Sequence, residues 1–169
     1  MDFKDLVQRR YSVRSYTNHS VEEEKLALIL EAARLAPTAA NRQPFRLVVV
    51  RDALRREAMR AAYSRDWFTS APAMIAACGV PAESWVRKDG KNYNDVDVAI
   101  VMDYITLQAA DLGLGTCWIA DFDPAAARRV LDLPDDVELV ALTPLGYPAD
   151  EPRPKKRRSL DELVHWETY

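Results

Sequence analysis

Arg9-Arg10-Tyr11-Ser12-Val13-Arg14-Ser15-Tyr16 is the stretch on which the reading of this chain turns. Three arginines fall within six residues, interleaved with hydroxyl side chains and one β-branched residue, just after an amphipathic segment carrying Phe3, Leu6 and Val7. Guanidinium forks pair with phosphate in bidentate geometry, and a serine hydroxyl adds a short neutral hydrogen bond, so the cluster is equipped to hold an anion. The same residues also read as a solvated basic turn. A second basic cluster, Lys155-Lys156-Arg157-Arg158, weighs toward the anion. Two clusters at opposite ends of a small domain can converge on one dianionic group.

A chain of 169 residues predicts a single domain, residues 1–169, long enough to bury its own core. The formal net charge of −3 argues against a nucleic-acid binder, which usually carries a basic excess, so the basic clusters are local tools. Cys78 and Cys117 lie in apolar runs and form no CxxC, which reads as buried thiols in a reducing compartment. Asp2, Lys4 and Asp5 leave no apolar leader at the start, and the run Ala71–Val80 is too short to span a bilayer. The expectation is a cytoplasmic protein with no membrane partner.

Working outward, Phe3 to Arg10 reads as a first helix. Ser20 followed by Glu23 predicts a capping box opening a helix over Val21–Leu35, which Pro37 stops. Thr38 to Gln43 is a polar loop. Phe45–Val50 and Ala73–Gly79 are apolar runs of strand length, with a helix capped by Asp52 between them. Pro81–Asn94 is polar and the expected mobile segment. Val96–Leu112 is the longest helix and is apolar on several faces, which predicts burial in the core or in a subunit interface. Gly113 ends it, Thr116–Ile119 is a short strand, Asp123 caps a helix through Leu131, and Val137–Leu145 is a last strand. Strands alternating with helices predict an α+β domain of three layers, a mixed sheet flanked by helices on both faces.

No GxxxxGK, full GxGxxG, GxSxG or HExxH occurs, and His19 and His165 lack metal-ligand spacing. Hydrolase, NTPase and metalloenzyme chemistries therefore have no motif, and an enzyme of this sequence needs a bound cofactor for its reactive centre.

Arg10, Ser12 and Arg14 resemble the N-terminal flavin-phosphate signature of the FMN-dependent nitroreductase family. Four further stretches match in family order: Ala36–Phe45, Leu112–Ile119, Pro144–Pro148 and Lys155–Leu160. The resemblance implies a nitroreductase-like α/β/α fold and an obligate homodimer. The long helix would pack against its mate, the C-terminal arm would cross to the partner, and FMN would lie at the interface. It implies phosphate contacts from Arg10, Ser12, Lys155 and Arg157, with Tyr11 beside them and Lys156 and Arg158 turned to solvent. Arg14 would sit near the pyrimidine edge, where a fixed cation favours reduced flavin. The alternative for Arg14 is a surface ion pair with one of Glu22–Glu24. Pro37, Thr38 and Asn41 would form a second flavin loop. Ile119 and Ala120 would offer a backbone N–H to flavin N5, at a place where the family usually has glycine and this chain has Ala120-Asp121.

The activity implied is hydride transfer from NAD(P)H to FMN and on to a small electron-poor acceptor, a nitroaromatic or a quinone, with no acid or base side chain required. Two alternatives stand beside it. One is a module that stores or senses FMN without turnover; the other is reductive dehalogenation or flavin fragmentation on the same scaffold.

Overall fold

In the computed structural model, which describes residues 2–169, both apolar runs are strands with the predicted limits, β1 (Phe45–Val50) and β2 (Ala73–Gly79). They pair antiparallel with each other. Short β3 (Gly115–Thr116) and β4 (Glu138–Gly146) complete a four-stranded sheet of order β1-β2-β4-β3. All three strand pairings are antiparallel. The mixed character expected of the sheet resides in one isolated parallel bridge, Ser12 to Thr116.

Every residue of β2 is buried, and the alternation of its side chains explains the layers. Ala73, Ile75 and Ala77 join one core cluster with Leu26, Ile29 and Ala33 of α2 (Glu23–Leu35) and Val98, Val101, Met102 and Ile105 of α5 (Asn94–Asp111). Met74, Ala76 and Cys78 point the other way. They join Met59, Phe68 of α4 (Asp66–Ser70), and Ala126, Ala127 and Leu131 of α6 (Pro124–Leu131). Helices thus cover both faces. The predicted caps at Asp52 and Asp123 are made: Asp52 accepts from Arg55 N–H ahead of α3 (Ala53–Ala58), and Asp123 from Ala125 and Ala126 N–H. Gly113 takes the left-handed φ of 76° that lets the chain leave α5. Among the described residues, no helix is long and apolar enough to cross a membrane.

The capping box at Ser20 does not form. Helix α2 begins at Glu23 with Glu22 as its N-cap, because Val21 stays extended and drops into the core beside Leu26, the arrangement of a hydrophobic staple. Glu22 is held instead by Tyr147, whose hydroxyl donates to its carboxylate at 2.7 Å. The capping box lies at the far end, where Ser159 and Glu162 cap the short α7 (Leu160–Leu163). Residues 81–94 are a hairpin rather than an irregular loop, with a bridge between Val86 and Asn92 and Ser84 and Asn94 buried at its base. The strand expected over Thr116–Ile119 breaks after Thr116 and resumes as a single bridge from Ile119 to Leu142.

Helix α5 meets the expectation of core burial on one face and keeps a second apolar face outside the core. Val98, Val101, Met102, Ile105 and Ala109 are its core face. Val96, Tyr104 and the neighbouring Trp118 stand about two-fifths exposed around Ile100, and this outer face lines an apolar groove of about 550 Å³. Residues 151–169 are exposed throughout, although they carry Leu160, Leu163 and Trp166.

Candidate functional site

Helix α1 (Phe3–Arg9) ends as Arg10 N–H bonds Leu6 O, and the chain then runs extended beside β3. Val13 N–H donates to Thr116 O at 2.9 Å, and Val13 and Tyr16 are buried, pinning the segment from below. Gly115 permits this approach, since a Cβ there would lie 2.5 Å from Val13 Cγ2. With Val13 turned inward, alternation turns Ser12 and Arg14 to the opposite side. The strand leaving β4 runs alongside, held by Thr17 N–H to Tyr147 O and Ala149 N–H to Ser15 O. That contact delivers the C-terminal cluster to the N-terminal one.

The result is a cavity of about 470 Å³ lined by Arg10, Tyr11, Ser12 and Arg14 from one end of the chain and residues 150, 151 and 153–157 from the other. Six basic and two acidic side chains line it, a local excess of +4 on a chain of net charge −3. Lys155 Nζ donates to Val7 O at 2.6 Å. Its ammonium is held below the ordinary lysine range by partial burial and by the charges of Arg10 and Arg157. Lys156 lines the cavity as well, contrary to the alternation read from sequence, because the arm is an irregular coil rather than a strand here; Arg158 does not line it. Arg14 makes no pair with the acidic start of α2. Glu22 is engaged by Tyr147 and Lys25, and Glu23 by Arg51.

One organising residue escaped the sequence reading. Asp150 accepts Arg14 N–H at Oδ2 (2.8 Å), while Tyr11 OH donates to Asp150 O at 2.7 Å and lies 3.2 Å from Oδ1. Burial, the Asp150 charge and this bond push the Tyr11 phenol up to about 12. An acidic residue beside a basic cluster was the only signal in the sequence, and it does not say which backbone the carboxylate will hold. Cys117 is buried close by, and its thiol is raised by burial against the opposing pull of Arg14, Ser12 and Arg10, as suits an inert core residue.

The other predicted residues are not brought to this cavity. Pro37, Thr38 and Asn41 belong to a tight loop over residues 37–43, in which Ala40, Asn41 and Gln43 all have φ between 51° and 54°. Thr38 Oγ1 accepts Gln43 N–H, and Ala39 N–H donates to Asp97 Oδ1 at 2.8 Å, which ties the loop to the first turn of α5. The Arg10 segment instead adjoins Ala110 and Gly113 at the opposite end of that helix. At 1.5 Å rise per residue, Ala110 stands roughly 20 Å from Asp97 along α5. Ile119 is buried with its N–H committed to Leu142 O, which leaves the backbone donation expected there to Ala120 or Asp121, both exposed.

A family model described as the nitroreductase family matches residues 7–64 and 53–147. A Thermus thermophilus protein named NADH dehydrogenase is 32% identical, covering 98% of this chain and 96% of that protein. A Bacillus subtilis protein named FMN reductase (NAD(P)H) is 28% identical over 98% of this chain and 73% of its own length. The crystal structure of a nitroreductase family protein from Clostridium difficile superimposes with a TM-score of 0.93 at 38% identity, covering all of both chains.

Proposed function

The chain belongs to the nitroreductase family, and from that premise we propose that residues 1–169 form one FMN-binding domain of an NAD(P)H-dependent oxidoreductase that reduces nitroaromatics, quinones or similar electron-poor acceptors. The observation that carries this reading is the convergence of two terminal basic clusters on one cavity. Several guanidinium and ammonium groups beside a serine hydroxyl form a donor set suited to a dianionic phosphate monoester, so the residues present fit FMN. When bound, FMN supplies the redox chemistry, accepting a hydride from NAD(P)H and delivering reducing equivalents to the acceptor.

The chain's own residues bind and tune. Arg10, Ser12, Lys155 and Arg157 hold the phosphate. Tyr11, fixed by Asp150, sets the path of the segment that carries them. Arg14, two residues beyond Ser12, places a cation where negative charge grows at the pyrimidine edge on reduction. Ala120 or Asp121 supplies the backbone donor toward N5.

The second loop, far from this cavity in its own chain, serves the cavity of a partner. Two copies pairing through the apolar outer face of α5, helices antiparallel, bring the Asp97 end of one against the Ala110 end of the other. The Pro37, Thr38 and Asn41 loop of each then completes the other's site. Such a dimer also covers Ile100, Tyr104 and Trp118 and gives the exposed Leu160 and Trp166 of the arm a surface to bury. Two buried free thiols suit a reducing cytoplasm.

The test is to mix the purified flavin-loaded protein with NADH and with NADPH, then add a quinone or a nitroaromatic. Bleaching of the visible flavin band and acceptor-dependent consumption of the nicotinamide support the reductase. Flavin that stays oxidised with both nucleotides supports a storage or sensing module instead.

A further inference from the structure

Asp97 is almost wholly buried, yet among the described residues Oδ1 accepts Ala39 N–H while Oδ2 is buried with no hydrogen-bond partner. A buried carboxylate with an unmet oxygen costs free energy and persists only where something else depends on it. Its placement in the first turn of α5 lowers that cost, because the N-terminal end of a helix favours negative charge. What depends on it is next door. The 37–43 loop holds three non-glycine residues, Ala40, Asn41 and Gln43, in the left-handed region, a conformation kept only when surrounding contacts over-determine it. Other hydrogen bonds of this loop stay within it, such as Gln43 N–H to Thr38 Oγ1, Asn41 N–H to Thr38 O and Arg42 N–H to Ala39 O. The Ala39–Asp97 bond joins it to the helical core.

We propose that Asp97 is a positioning residue for flavin binding: its buried carboxylate fixes the strained 37–43 loop to α5 and thereby sets the loop's contact with the flavin ring and ribityl chain. The inference rests on the loop being a flavin-contacting stretch, and it adds a residue that touches no part of the cofactor. Because the loop serves the ring end and not the phosphate, Asp97 has its own signature. Its loss weakens FMN and riboflavin alike, whereas loss of a phosphate contact weakens FMN alone.

The experiment measures dissociation constants for FMN and riboflavin, with melting temperature and dimer content, on wild type, D97A, D97N and A39P. D97A is expected to weaken both ligands to the same degree, by roughly tenfold or more, the scale of one charge-assisted hydrogen bond. D97N keeps an acceptor for Ala39 N–H and is expected to bind both ligands within about twofold of wild type. It exchanges the carboxylate for an amide whose Nδ2 donors meet the same unfilled place, so its melting temperature is read beside the affinities. A39P deletes the same bond from the other side while Asp97 remains. Thr38, at φ −132° and ψ 158°, already has the extended conformation a residue before proline prefers, so the change is tolerated locally. It is expected to reproduce D97A, which keeps the test decisive should D97A fold poorly. Unchanged binding in A39P, discrimination between the two ligands in D97A, or a D97N as damaged as D97A would overturn the role assigned. A wild type that binds no flavin at all would overturn the functional reading as well.

Discussion

Replacing Arg10 by alanine separates phosphate anchoring from every other role the basic cavity could have. Arg10 is half-buried where the two clusters meet, and its charge helps depress the Lys155 ammonium. A charge-assisted hydrogen bond contributes about 1.5–3 kcal/mol net, which corresponds to roughly 10–150-fold in affinity. Removing Arg10 also relieves repulsion on Lys155, whose ammonium then meets the phosphate with its charge less opposed. The expected loss therefore sits toward the lower end, about tenfold to thirtyfold for FMN. Riboflavin has no phosphate, and its affinity should stay within about twofold, since nothing Arg10 would contact has been removed. The assay is calorimetric titration of flavin-free protein with each ligand, repeated at higher salt, where the FMN difference shrinks as screening rises. Equal weakening of both ligands would refute the reasoning and show that Arg10 acts by holding the N-terminal segment in place.

Three other expectations follow from the same geometry. Replacing Arg14 with Gln should leave FMN affinity nearly intact and lower the two-electron potential by about 30 mV, the equivalent of about 1.4 kcal/mol; in a dye-equilibrated titration, an unchanged potential with strongly weakened binding would make Arg14 another phosphate ligand. Tyr11 carries a folded-state value of about 12 against an ordinary 10, so its contribution to stability is complete below pH 10 and lost as pH rises to 12. In Tyr11→Phe that alkaline decline should be shallower than in wild type, and identical alkaline melting curves would sink the Tyr11–Asp150 bond. Ile100→Lys, on the outer face of α5, should give a monomer that has also lost flavin. Sedimentation showing monomer with flavin fully retained would refute the shared site. Ile105, although on the same helix, lies wholly inside the chain's own core, and a charge there would test folding instead.

Strand limits were legible because β1 and β2 are largely apolar runs closed by turn residues. Strand β2 is buried on both faces as read, whereas β1 lies at the sheet edge with Arg46 exposed and only Val50 fully buried, since no described strand pairs with its outer side. The caps at Asp52 and Asp123 were legible because a side chain reaching its own helix is a local event. Ser20 misled because the same local pattern lost to a tertiary gain: Val21 contributes more in the core than Ser20 would at the helix start. Most basic residues of the cavity could be listed from sequence, since a cluster of cations announces an anion, although Arg153 was not among them and Lys156 was read as facing solvent. Their carboxylate organisers could not. Asp150 and Asp97 each serve a backbone N–H, Arg14's and Ala39's, that lies 136 and 58 residues away in the chain, and nothing in a sequence marks which amide a distant acid will meet.

In the proposed dimer, the distance between the two ends of α5 would make the site common property rather than a possession of either chain. A copy whose basic cavity is wholly disabled and a copy whose 37–43 loop is wholly disabled would each have no sound site when paired with themselves. Joined to one another, they assemble one cavity from two sound ends and gather both defects in the second. In that dimer two defective alleles would restore a working enzyme, and whatever parted the two chains would abolish catalysis without altering a single residue that touches the cofactor.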